Sequence, residues 1–161
     1  AHCSDLRCSG ATTATLDSTG DVGRFTSIVI GQDGLGIISY FDSTNSVLKV
    51  AHCSNPSCSA ATSTTVDSSE KVGRYSSITM GGDGLPLISY WDGNNGSLKV
   101  AHCSSINCST NTKSTIESAG NTGWYTSIAT GPDGLGVISY FDYTRVQLKV
   151  VHCPNRQCSP Q

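Results

Sequence analysis

Short apolar bursts separated by glycine-rich polar turns run the length of this chain. In its middle portion Arg74 to Met80 ("RYSSITM") is rich in β-formers and stops at Gly81. "GGDG" at Gly81 to Gly84 follows; glycine tolerates positive φ and Asp-Gly suits a tight hairpin, so this is a turn. Leu85 to Trp91 ("LPLISYW") is a second strand, with Pro86 near its start, and "DGNNGS" at Asp92 to Ser97 a second turn. Leu98 to Cys103 makes the third strand. Asn111 to Ile116 ("NTKSTI"), the counterpart of Ala61 to Val66 ("ATSTTV"), makes the fourth. Side-by-side apolar pairs such as Ile37-Ile38 and Leu87-Ile88 replace strict alternation, which marks strands covered on both faces.

The bursts return every 50 residues. "AHC" or "VHC" begins at Ala1, Ala51, Ala101 and Val151; "DGL" begins at Asp33, Asp83 and Asp133; "ISY" begins at Ile38, Ile88 and Ile138. The chain therefore reads as one repeat domain, 1–161, with units 1–50, 51–100 and 101–150 and a partial terminal copy 151–161. Four antiparallel strands in a unit of this size are the signature of a propeller blade. The expected fold is all-β: a β-propeller of four-stranded antiparallel blades, three per chain, each with a hairpin disulfide. A β-solenoid competes, but its rungs are usually shorter.

All eight cysteines belong to the repeat, as Cys3/Cys8, Cys53/Cys58, Cys103/Cys108 and Cys153/Cys158. Each pair flanks four residues between a third and a fourth strand. Opposed hairpin positions hold Cα atoms about 4.5–5.5 Å apart, within a disulfide's reach. A zinc site needs four ligands at one point, whereas these pairs belong to separate blades. The Cys-x-x-Cys-His haem signature is absent, and a redox dithiol recurring four times is a poor reading. Structural disulfides are expected, and with them an extracellular or periplasmic setting. His2, His52, His102 and His152 lie in apolar rows of the third strands and read as packed, hydrogen-bonded side chains.

Composition narrows the partners. The 161 residues carry a formal net charge of -2, with Lys and Arg scattered; this argues against nucleic acid or an anionic membrane surface. No apolar run reaches the roughly 20 residues that span a bilayer. Asp33, Asp83 and Asp133 stand singly among glycines, whereas a calcium loop spaces several oxygen ligands at alternating positions. They read as hairpin formers, and neither metal nor cofactor is expected.

Candidate ligand contacts come from the repeated aromatic-acid triplets Tyr40-Phe41-Asp42, Tyr90-Trp91-Asp92 and Tyr140-Phe141-Asp142. Aromatic faces stack on sugar rings and carboxylates accept hydroxyl hydrogen bonds. Core packing of the aromatics and turn initiation by the acids are the competing reading. Catalysis finds little support. A glycosidase needs two carboxylates at a defined separation, and Glu70 and Glu117 are the only glutamates and not repeat-equivalent. Arg24 and Arg74 match, but the third unit has Trp124 there. The chain is expected not to be an enzyme.

"DGL-x-x-ISY-[FW]-D" followed by "LKVAHC-S-x-x-x-C-S" resembles the repeats of secreted bacterial β-propeller-type proteins, over essentially the whole chain. The terminal copy departs at Val151 and Pro154. The resemblance implies a propeller blade and an extracytoplasmic setting, and supplies no catalytic residue.

Propellers close with about 4–8 blades, so three invite self-association through the chain ends, as a dimeric six-bladed ring or a head-to-tail polymer; a piece of a longer array is a further option. Two functions are expected from this. One is a non-catalytic extracellular binding module, multivalent for glycan or another surface ligand, with its aromatic-acid groups exposed. The other is a structural subunit of an extracellular assembly, with those aromatics in the core.

Overall fold

The computed structural model describes residues 1–159; Pro160 and Gln161, at the end of the terminal copy, lie outside the described residues. Among the described residues all thirteen elements are strands. A short hairpin of β1 (His2–Cys3) and β2 (Ala11–Thr12) comes first. The first large sheet holds β3 (Val22–Ile30), β4 (Gly36–Asp42), β5 (Val47–Cys53) and β6 (Ala61–Asp67), side by side in chain order. The second repeats this with β7 (Val72–Met80), β8 (Pro86–Asp92), β9 (Ser97–Cys103) and β10 (Asn111–Glu117). The third contains β11 (Thr122–Thr130), β12 (Gly136–Asp142) and β13 (Gln147–His152), so among the described residues it has three strands instead of the four expected of every unit. Every pairing is antiparallel, and among the described residues no sheet closes on itself.

The turns form where the sequence places them. Gly81 N–H donates to the Leu85 carbonyl at 2.8 Å, and Asp83 Oδ1 accepts the Leu85 N–H at 3.1 Å. The same bonds form at Gly31/Leu35 and Gly131/Leu135. At the opposite ends of the strands Asp42 and Asp92 cap the next turn, accepting the backbone N–H of Asn45 and Asn95 at 2.9 and 3.1 Å.

The cysteines close as four disulfides, in the pairs their spacing predicts. Cα atoms are 4.8 Å apart in Cys3–Cys8, 4.9 Å in Cys53–Cys58, 4.8 Å in Cys103–Cys108 and 4.6 Å in Cys153–Cys158. Their placement corrects one expectation, because the two members of a pair do not oppose each other across the hairpin. The residue opposite Cys53 is Ala61, and Cys58 lies in the loop outside both strands. Cys58 adopts a left-handed conformation, φ 51°, and its N–H donates to the Asn55 carbonyl at 2.9 Å. This tight turn, further held by the Ser59 N–H on Asn55 Oδ1 at 3.1 Å, swings the half-buried Cys58 back over the strand end. Cys8, Cys108 and Cys158 repeat it, at φ 52°, 56° and 51°. Four disulfides in a chain of this size are typical of extracellular proteins.

The sheets lie face to face, with β3, β7 and β11 alongside one another, and the core forms in the two gaps between sheets. Leu48, Val50 and Val66 of the first sheet meet Val72, Ile78, Ile88 and Tyr90 of the second. Leu87, Leu98 and Val100 of the second meet Ile128, Ile138 and Tyr140 of the third. Leu48, Val50, Leu98 and Val100 are all 0% exposed; burying each such side chain stabilises by roughly 1.5–3 kcal/mol. The middle sheet is covered on both sides. This accounts for the paired apolar residues Leu87-Ile88, 1% and 0% exposed. The outer faces of the first and third sheets are open.

Candidate functional site

The aromatic-acid triplets are turned inward. Tyr40, Tyr90 and Tyr140 are 4%, 0% and 3% exposed, and Asp42, Asp92 and Asp142 are 2%, 3% and 0%. Each tyrosine hydroxyl is committed to an acid that sits before the first strand of its own sheet. Tyr40 donates to Asp17 at 2.7 Å, Tyr90 to Asp67 at 2.7 Å, and Tyr140 to Glu117. Lys49 and Lys99 complete the sets with ion pairs to Asp17 at 2.6 Å and Asp67 at 2.9 Å, and Lys149 does so to Glu117. Because Asp67 and Glu117 end the fourth strand of the preceding sheet, those two sets latch one sheet to the next, while the Asp17 set fixes the segment before β3 to the first sheet. The acids of the triplets serve as turn caps; Asp142, for instance, binds Arg145 through N–H and guanidinium at 3.0 and 2.9 Å. The exposure expected of these groups under the binding reading is therefore not met, and core packing with turn capping is what they do: each buried tyrosine hydroxyl is drawn to the nearest carboxylate.

Burial by itself would raise the Asp67 carboxyl, but hydrogen bonds from Lys99 and Tyr90 outweigh it and hold the group down at about 2. For Asp17 the Lys49 hydrogen bond leads, and the carboxyl is lowered to about 2. Tyr90 and Tyr140 are pushed up, first by burial and then by the neighbouring carboxylates. The third-strand histidines are hydrogen-bonded as expected. His52, His102 and His152 each place Nε2 2.8 Å from the turn acid Asp33, Asp83 or Asp133. These pairs bind strand to hairpin within one sheet rather than between sheets.

An aromatic surface does exist, at residues the sequence reading did not select. In each innermost strand the register slips between Arg24 and Ser27, Arg74 and Ser77, and Trp124 and Ser127. The extra residue of each bulge is Phe25, Tyr75 or Tyr125, at φ 55°, 56° and 52°. A left-handed conformation is uncommon for bulky residues and costs on the order of 1–2 kcal/mol each. Three copies of such strain in one place point to function. The bulges turn the rings out along a belt. Phe25 and Tyr75 have centroids 4.6 Å apart, and Tyr75 and Tyr125 4.5 Å apart. Trp124 stacks on Tyr75 at 5.3 Å and on Tyr143 at 4.9 Å.

Phe25, Tyr125 and Tyr143 are 38%, 65% and 56% exposed. The middle residues of the predicted triplets form the wall behind the belt: Phe41 lies 6.1 Å from Phe25, Trp91 6.1 Å from Tyr75, and Phe141 6.3 Å from Tyr143. The Arg74 guanidinium, exposed, lies over the Phe41 and Trp91 rings at 5.3 and 5.9 Å. Arg24 is instead paired with Asp21 at 2.7 Å. A sugar ring needs flat aromatic area for stacking and directional donors for its hydroxyls, and this belt offers both. The match of Arg24 with Arg74 hinted at the place. Gly23, Gly73 and Gly123, at φ 90°, 100° and 94°, mark a first slip in each strand, but the second slip falls on aromatics whose type gives no sign of a left-handed conformation.

No protein-family model matches the sequence, and no curated protein aligns with it significantly. Among solved structures, an alpha-L-arabinofuranosidase from Lactobacillus brevis superposes with a TM-score of 0.57 over 82% of this chain and 49% of that one, at 11% identity. The chain thus spans about half the length of that enzyme. At this identity the likeness speaks to the all-β fold and not to activity.

Proposed function

We propose that this protein is a secreted, non-catalytic carbohydrate-binding module of propeller type, in which the three sheets act as successive blades and the ligand lies along the aromatic belt. The observation that carries the reading is the row Phe25, Tyr75 and Tyr125, held outward by strained backbone at equivalent places in three sheets. The bulge carbonyls of Phe25 and Tyr75 accept inter-sheet hydrogen bonds, which offsets part of the strain, but Phe25 and Tyr125 stay 38% and 65% exposed and their rings are free to act. Stacking on successive sugar residues is the role open to them, and Arg74 adds donors for ring hydroxyls. The carboxylates best placed to attract attention as catalysts, Asp17, Asp67 and Glu117, are neutralised by lysine and tyrosine, which suits a binding role. Equivalent sites on one face make the expected binding multivalent.

A glycan array followed by calorimetry on the positives tests this. Arabinofuranosides belong in the panel alongside hexose polymers. Tyr125→Asn is the informative variant, because asparagine accepts the left-handed conformation and removes only the ring. Binding should weaken at least about tenfold, the loss of roughly 1.4 kcal/mol expected for one stacked ring. An empty array, or a glycan whose affinity is indifferent to Tyr125 and Tyr75, would overturn the proposal.

A further inference from the structure

We infer that copies of this chain join head to tail through their two open sheet faces, because those faces are the two halves of an interface the chain already makes twice. The inference does not depend on the carbohydrate reading, although the backbone of Tyr125 belongs to both sites.

The two internal interfaces are the same contact. Between the first and second sheets Ser39 and Ser76 hydroxyls meet at 3.1 Å, Ser76 donates to the Phe25 carbonyl at 2.9 Å, and Ile78 N–H donates to Ser27 Oγ at 3.2 Å. Between the second and third, Ser89 meets Thr126 at 2.8 Å, Thr126 donates to the Tyr75 carbonyl at 2.9 Å, and Ile128 N–H donates to Ser77 Oγ at 3.2 Å. Shifted by one more repeat, the donating half is Thr26 and Ile28, on the open face of the first sheet. The accepting half is Ser139, Tyr125 and Ser127, on the open face of the third. Thr26 and Ser127 are exposed, whereas Ser76 and Thr126 are 7% and 8% exposed.

The apolar residues repeat the pattern. Leu48, Val50, Leu98 and Val100 are fully buried, but their counterparts Leu148 and Val150 are 83% and 67% exposed. Ile78 and Ile128 are 5% and 7% exposed, against 61% for Ile28. Backbone approach agrees. A Cβ added to Gly73 would lie 2.6 Å from Leu48 Cα, and one on Gly123 2.8 Å from Leu98 Cα; one on Gly23 would meet nothing within 4 Å. The missing neighbour of Gly23 has the chemistry of Leu148.

The outer edge of β13, without a strand beside it among the described residues, fits the same partner. Residues 63–67 and 113–117 are strand, paired with β5 and β9. Their counterparts, residues 13–17, are not, although Asp17 is already fixed against Tyr40 and Lys49. This segment waits for a strand such as β13, and a second copy brings one. The register of β5 with β6 places Leu148 of one copy opposite Asp17 of the other, and Val150 opposite Ala14. The Cys3–Cys8 loop of one copy and the Cys153–Cys158 loop of the other then converge at the outer edge. His2 and Cys3 occupy the places opposite Thr12 and Ala11 that His152 and Cys153 of the other copy would take, so the exposed β1–β2 hairpin has to open for this contact. Such a contact is heterologous: it closes into a ring or extends into a filament according to its rotation.

Sedimentation of the whole chain with two surface variants tests the inference. Ile28→Asp spoils one half of the contact and Val150→Asp the other. Wild type should associate, and each variant alone should be monomeric with an unchanged circular dichroism spectrum. An equimolar mixture should form a one-to-one heterodimer, since each variant retains the half the other has lost. A wild-type chain monomeric up to its solubility limit would overturn the inference. So would either variant associating as wild type does, or a mixture of two folded variants that stays monomeric.

Discussion

Asp67 lies with its side chain 1% exposed between Lys99 and the Tyr90 hydroxyl, at the junction of two sheets. Removing its charge leaves the lysine ammonium, 14% exposed, with only the more distant Asp92 at 3.9 Å; loss of one partner of a buried pair is strongly destabilising. Asp67→Asn should therefore lower the unfolding free energy by about 2–3 kcal/mol, read from urea titration at neutral pH. The same group sets an acid limit. Its carboxyl ionises near 2 in the folded protein against 3.8 unfolded. The unfolded chain takes up the proton first, so this contribution is complete above about pH 4 and fades as pH falls toward 2. With Asp17 behaving alike, wild type should lose on the order of 2 kcal/mol or more between pH 5 and pH 2. Asp67→Asn should show a shallower acid decline. These latches were hidden in the sequence for a physical reason. Their members are 23 and 32 residues apart, and the acid changes from Asp17 and Asp67 to Glu117. Only a folded sheet brings Tyr and Lys of adjacent strands onto one acid.

The strands of the middle unit were readable to within two residues, because glycine and Asp-Gly punctuate both ends of each hairpin, whereas the fourth strand implied at the N-terminal end forms only over Ala11–Thr12. Pro86 opens β8, where a missing N–H costs least. The glycine of "GRF", "GRY" and "GWY" is a bulge signal that the sequence reading passed over, whereas nothing distinguishes the αL aromatic after it from an ordinary strand residue. Cysteine spacing, by contrast, specified which residues pair, though not the left-handed turn that carries Cys58 and its counterparts to their partners. The energetic weight of the clasps should differ by position. Closing so short a loop stabilises by about 2 kcal/mol on chain-entropy grounds. Cys103 and Cys108 are both 0% exposed and belong to the core. Cys3 and Cys8 close a hairpin exposed along its length. Replacing Cys103 and Cys108 with alanine should lower the melting temperature by several degrees, whereas the same change at Cys3 and Cys8 should leave it within error. Differential scanning calorimetry separates the two outcomes.

At the scale of the molecule, stability resides in two near-identical gaps rather than one centre. An array of this kind unfolds according to the strength of each unit and of its contact with the next. The repeat boundaries seen in the sequence fall inside strands, at Val50 and Val100, not between sheets. The first two sheets are thus completed by residues of the following unit, and each junction between sheets is latched by an acid on the last strand of the preceding sheet. Since the two internal interfaces are interchangeable, a chain that loses one whole repeat should still fold. Joining Val50 directly to Ala101 restores "LKVAHC" letter for letter and leaves each remaining strand beside a suitable partner. A gene of this kind can change the reach of its protein in whole steps by unequal recombination.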